Sequence, residues 1–128
     1  MLQARDWTVY VVDDDDDVRE STIALLKTAG LNVRAHASGG EFLQNLDISS
    51  RGCILLDLHM PVLSGFQVLE RLRKSGNRMP VILFSGRADS TTEEFARTHG
   101  AVALLPKPFA AVKLVETVRR LLSEDQAV

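Results

Sequence analysis

Cysteine is almost missing from this 128-residue chain: Cys53 stands alone. An intramolecular disulfide framework is therefore excluded, and no cysteine or histidine cluster offers a zinc site. Aromatic residues are scarce, at 5% with one Trp and one Tyr, and Trp7, Met60, Met79 and Phe95 are read as packing residues rather than a cofactor box. No apolar stretch approaches a membrane span or a secretory signal, so a cytoplasmic location without membrane partners is expected. Neither sign of charge dominates: the net charge is −2 and the pI near 5.9. Nucleic acid is then not expected as a direct ligand, and Arg119-Arg120 is read as the basic last turn of a helix. The glycines form neither a dinucleotide fingerprint nor a Walker loop. No repeat, low-complexity tract or interdomain linker appears, so a single domain over residues 1–128 is expected.

Short apolar runs are present, and they alternate five times with segments of helical period. Strands are predicted at Thr8 to Val12, Asn32 to Ala37, Cys53 to Leu56, Val81 to Phe84 and Ala101 to Leu105. The first helix carries Val18, Leu25, Leu26 and Ala29 on one stripe, with Gly30 as a left-handed cap. Ser38-Gly39-Gly40-Glu41 and Ser90-Thr91-Thr92-Glu93 fit the capping box and should open the second and fourth helices. The third runs from about Ser64 through Val68, Leu69 and Leu72 to the break at Ser75-Gly76-Asn77. Val112, Val115, Val118, Leu121 and Leu122 line the fifth. Alternation of this kind builds a parallel sheet with helices on both faces, and ligands of such sheets bind beyond the carboxyl ends of the strands.

Asp13, Asp14, Asp57, Ser85 and Lys107 all fall at that edge. Carboxylates crowded there repel one another, and a hard divalent cation would relieve the repulsion. The donors are oxygens, which suits Mg²⁺ best, with Mn²⁺ or Ca²⁺ as substitutes. With charge neutralised, Asp57 could attack a phosphoryl group and become an acyl phosphate, while Lys107 and the Ser85 hydroxyl contact the phosphoryl oxygens. Asp15 to Asp17 are read instead as a solvated helix start favoured by the helix dipole. His36 and His99 are read as surface or strand-edge residues.

Asp13-Asp14, Asp57-Leu58-His59-Met60-Pro61 with Gly65, Ser85-Gly86 and Lys107-Pro108-Phe109, in this order and on these strands, resemble the receiver domain of bacterial two-component response regulators. The resemblance implies a flavodoxin-like, doubly wound α/β domain with five parallel strands in order 2-1-3-4-5 and five helices. It implies that Asp57 is the phosphoacceptor, Asp14 a direct Mg²⁺ ligand, Asp13 a ligand through water, and the His59 backbone carbonyl a further ligand. Ser85 is similar to the switch hydroxyl, Gly86 to the small residue beside it, and Lys107 to the phosphoryl-binding lysine, whose bond to proline is cis in many members. By the same analogy the side chains of His59 and Arg87 tune the lifetime of the phosphorylated state. Leu104 departs from the family's aromatic three positions before the lysine, which puts conformational readout in question.

The implied partner is a sensor histidine kinase or phosphotransfer protein, and a homodimer formed on phosphorylation is open to such a chain. The implied activity is signalling, not turnover of an outside metabolite. Two other readings stand beside it. One is a phosphatase or phosphotransferase of the haloacid dehalogenase type, against which the sequence Asp57-Leu58-His59 lacks the second acid. The other is a pseudo-receiver that binds partners without phosphorylation. No output segment follows the fifth helix, so the sequence reads as a stand-alone receiver or the front of a larger regulator.

Overall fold

The computed structural model describes residues 7–47, 49–87 and 89–126, with side chains through 123. Five strands, β1 (Thr8–Val12), β2 (Asn32–His36), β3 (Gly52–Asp57), β4 (Val81–Ser85) and β5 (Ala103–Pro106), alternate with five helices. These are α1 (Asp16–Thr28), α2 (Gly39–Asn45), α3 (Gly65–Lys74), α4 (Ser90–Thr98) and α5 (Ala111–Gln126). All strand pairs are parallel, in the order β2-β1-β3-β4-β5.

Successive strand residues point to opposite faces, and the apolar runs supply both. Val9, Val11, Cys53, Leu55, Ile82 and Phe84 join Leu26 of α1 and Leu114, Val118 and Leu121 of α5 in one core. Tyr10, Val12, Ile54, Leu56, Val81 and Leu83 join Phe42 of α2, Val68, Leu69 and Leu72 of α3 and Ala96 of α4 in the other. A strand buried on both faces must be apolar throughout, which is why β3 reads as a continuous run rather than an alternation. Each fully buried Leu or Ile contributes roughly 1.5–3 kcal/mol. Burial also pushes the Cys53 thiol up to about 12, leaving it an inert core residue at neutral pH.

Several boundaries differ from the sequence expectation. Ala37 falls outside β2, and β5 begins at Ala103 rather than Ala101. Asp57 and Ser85 are the last residues of β3 and β4, not the first residues beyond them. Asp89, not Ser90, caps α4, because its carboxylate accepts both the Thr92 N–H and the Thr92 hydroxyl at 2.9 Å. Ser38 does cap α2, but the reciprocal half of its box is not formed; Glu41 turns its carboxylate to His36 Nδ1, 3.1 Å away. The complete capping box belongs to α3, between Ser64 and Gln67. The buried face of α5 is Leu114, Thr117, Val118 and Leu121, whereas Val112 in its first turn lies 70% exposed. Phe95 is half exposed rather than packed in the core, stacked on His99 at 4.7 Å and tilted against Phe66 at 5.0 Å. Gly30 takes the expected left-handed φ of +84° after α1.

Candidate functional site

Parallel register brings the strand ends together. Val12 pairs with Leu56, Asp57 with Phe84, and Ser85 with Pro106. The residues just beyond or at these ends therefore share one edge: Asp13 and Asp57, both buried, Ser85, fully buried, and Lys107, whose side chain is 21% exposed. Asp14 is exposed, on the solvent side of Asp13.

Lys107 Nζ sits 3.0 Å from Asp13 Oδ2 and 3.3 Å from Asp57 Oδ2. The backbone N–H of His59 donates to Asp57 Oδ1 at 3.2 Å, and that of Asp15 donates to Asp13 Oδ1 at 2.9 Å. Burial, then the neighbouring Asp13 charge, raises the Asp57 carboxyl to about 6 against the opposing pull of Lys107 and the His59 N–H. Burial works to lower the Lys107 ammonium, but the two carboxylates outweigh it and leave it raised. Lys107 is therefore a fixed positive charge at neutral pH.

One ammonium does not balance three carboxylates. Asp13, Asp14 and Asp57 each offer an oxygen within 4.8 Å of the others. Asp13 Oδ2 is buried with the Lys107 charge beside it but no aligned hydrogen bond. An oxygen-only cluster with surplus negative charge and an incompletely satisfied buried carboxylate fits a hard divalent cation, Mg²⁺ above all. His59, whose backbone N–H meets the Asp57 carboxylate, lies two residues beyond Asp57 in the loop that follows β3.

That loop is held tightly. Gly65 N–H donates to Leu58 O at 2.9 Å, folding residues 58–65 back on the end of β3. A Cβ on Gly65 would lie 2.6 Å from Asp57 O and 2.8 Å from Leu58 Cα, so only glycine permits the approach. At the end of the neighbouring strand β4, Ser85 Oγ accepts from Arg87 N–H at 2.9 Å and lies 3.4 Å from Nε2 of the exposed His59 ring. His59 thus covers the site from the solvent side and also touches the hydroxyl, a contact the sequence did not disclose. Arg87 is exposed, and a Cβ on Gly86 would meet nothing within 4 Å. Leu104 is half-buried in β5 against the α2–α4 face of the core. The Lys107-Pro108 bond is cis.

Arg19 is a site residue that sequence reasoning passed over. It donates to the Asp13 carbonyl at 2.8 Å and pairs with Asp16, fixing the acidic loop to α1. The one available signal was the Asp16/Arg19 spacing, which puts an acid and a base on the same helical face.

The profile of the response regulator receiver domain matches residues 9–119. The chain belongs to the response regulator receiver family. As a receiver it is similar to FixJ, a transcriptional regulatory protein of Azorhizobium caulinodans, at 40% identity over 117 residues, covering 91% of this chain and 56% of FixJ. It is also similar to the response regulator protein TodT of Pseudomonas putida, at 35% identity over 114 residues, covering 89% of this chain and 50% of TodT. The receiver thus spans about half the length of the curated relatives it matches. Among solved structures, the crystal structure of FixJ-N covers 96% of both chains with a TM-score of 0.84 at 31% identity. That of the Vibrio cholerae chemotaxis protein CheY4 covers 90% of this chain and 98% of its own, with a TM-score of 0.83 at 26% identity. Receivers of this family act in two-component signalling, with histidine kinases as partners. Among the described residues, no helix is long and apolar enough to cross a membrane.

Proposed function

We propose that this receiver takes a phosphoryl group from a partner's phosphohistidine onto Asp57 and changes its surface in response. The observation that carries the reading is the Asp57 carboxylate, buried at the end of β3 with Lys107 Nζ at 3.3 Å and Asp13 beside it. A carboxylate oxygen of Asp57 forms the new O–P bond as the P–N bond of phosphohistidine breaks. The imidazole nitrogen keeps the bonding pair and is protonated, and Asp57 becomes an acyl phosphate. Lys107 swings from pairing carboxylates to pairing a phosphoryl oxygen, and the Ser85 hydroxyl takes another. Asp14, Asp13 through water, Asp57 and the His59 carbonyl would hold Mg²⁺, which when bound supplies positive charge to the incoming phosphoryl group.

His59 and Arg87, both on exposed rims of the site, control how water reaches the acyl phosphate and so set its lifetime. Since Leu104 has no ring to exchange between core and solvent, readout runs through movement of the loop after Ser85, next to Gly86 and Arg87. The response passes to an output segment or to a partner protein.

Acetyl phosphate with millimolar MgCl₂ should add one hydroxylamine-labile phosphoryl group, and EDTA should prevent it. In thermal melts, Mg²⁺ at ten times its Kd should stabilise the parent by about 1.4 kcal/mol, a shift of a few degrees, and Asp14→Ala should lose that shift. No labelling of a folded parent, or labelling indifferent to EDTA, would overturn the reading.

A further inference from the structure

The amino end of the sheet, opposite the acceptor edge, carries a cleft that the phosphoacceptor chemistry does not use. It lies between the C-terminal ends of α2 and α3 and the loops that follow them, and its lining includes Gly52 at the start of β3 and Pro80 just ahead of β4. Its volume is about 800 Å³, within the roughly 300–1,000 Å³ of small-molecule sites. Leu43, Leu46, Met79 and Pro80 give it apolar walls, and the first three pack on the core cluster shared by α2, α3 and α4.

Positive charge gathers at this cleft in a chain whose net charge is −2. Arg51, Arg71 and Arg78 line it, all exposed, against a single acid, Asp47. Asp47 Oδ1 is already engaged, accepting from the Ser49 N–H at 2.8 Å and the Ser49 hydroxyl at 2.6 Å. Among the described residues, neither the Arg71 nor the Arg78 side chain has a hydrogen-bond or ion-pair partner. Like charges gathered without an acid between them repel. Burial, then the nearby Arg78 charge, accordingly holds the Arg73 guanidinium below its usual range. Arg73 itself is a structural tie, donating to the Asn77 and Met79 carbonyls at 3.2 and 2.9 Å and to the Gly100 carbonyl at 3.3 Å. With Asn77 Oδ1 accepting from Met79 N–H at 2.8 Å, these bonds fix the loop between α3 and β4 as a preformed wall. Little ordering is then required when a ligand enters.

We propose that this cleft binds a nucleoside polyphosphate, with the phosphates on the Arg51, Arg71 and Arg78 guanidiniums and the base against Leu43, Leu46, Met79 and Pro80. Guanidinium groups pair phosphate oxygens through forked N–H donors, and three of them call for a ligand with more than one negative charge. A bare inorganic anion would leave the apolar walls in water, whereas a flat base covers them. Side-chain donors here take the place of the glycine-rich loop that the sequence lacks. The site needs neither a divalent ion nor Asp57: β3 runs from Gly52 at the cleft to Asp57 at the acceptor edge, so its two ends separate the two sites.

The test is a fluorescence anisotropy titration of the whole chain with ATP carrying a fluorescent ribose label, at low salt and in EDTA, so that no divalent ion bridges the probe to the carboxylates. The parent should bind with a Kd on the order of 10–100 µM. Arg71→Gln and Arg78→Gln should each weaken binding about tenfold. Both side chains are exposed, so thermal melts of the two variants should match the parent's. Arg120→Gln removes the same charge from exposed α5, across the sheet, and should leave the Kd unchanged. Unlabelled ATP should displace the probe, and inorganic tripolyphosphate should do so about tenfold less well because it leaves the apolar walls uncovered. No binding below about 1 mM, an unchanged Kd in both cleft variants, or tripolyphosphate competing as well as ATP would overturn the assignment.

Discussion

Lys107→Ala is expected to slow labelling of Asp57 by acetyl phosphate about 100-fold or more while leaving the secondary structure intact. The ammonium lies 3.0 Å from Asp13 and 3.3 Å from Asp57, and at neutral pH it is fully charged. Its removal takes away the positive charge that the proposed function assigns to the phosphoryl oxygens and leaves the buried Asp13 and Asp57 carboxylates without their ammonium partner. The variant should therefore also melt lower than the parent in EDTA, and Mg²⁺ should restore more of its stability than it adds to the parent. Alanine is small and the position is partly exposed, so no core packing is lost. A labelling rate within threefold of the parent would mean that Lys107 neutralises the resting site and takes no part in the transfer.

Gly52→Ala should destabilise the fold by about 3 kcal/mol, lowering Tm by roughly 10 °C. Gly52 opens β3 at φ +142° and pairs with Thr8 of β1. A Cβ built there falls inside the van der Waals envelope of the Thr8 carbonyl. The two central strands would have to part at the point where Thr8 N–H donates to Arg51 O. Gly40→Ala provides the contrast: it lies within α2, a Cβ there meets nothing within 4 Å, and alanine should stabilise by about 0.5–1 kcal/mol. Equal and small effects at the two positions, read by thermal melts, would contradict the strand geometry at Gly52.

Asp57, Ser85 and Lys107 were legible as an edge because each ends or follows an apolar run, and parallel strands must align such ends. What stayed hidden depended on choices between near-equivalent neighbours or on geometry with no residue marker. Asp89 and Ser90 are both good helix caps, and the carboxylate that reaches Thr92 decides between them only in three dimensions. Val112 has the right chemistry for the α5 stripe, but its position in the first turn carries it clear of the sheet. Arg19 acts on a carbonyl, and backbone acceptors leave no trace in a sequence. Val62 follows a proline in a run of ordinary loop residues, and nothing in its side chain announces a positive φ.

The central claim is that Asp57 is the acceptor, and locating the phosphoryl group tests it most directly. After treatment with acetyl phosphate and MgCl₂, intact-mass analysis and peptide mapping should find one phosphoryl group on the parent, within the peptide that contains Asp57, and none on Asp57→Asn. A label that persists in Asp57→Asn, or that maps to Asp13 or Asp14 in the parent, would contradict the account.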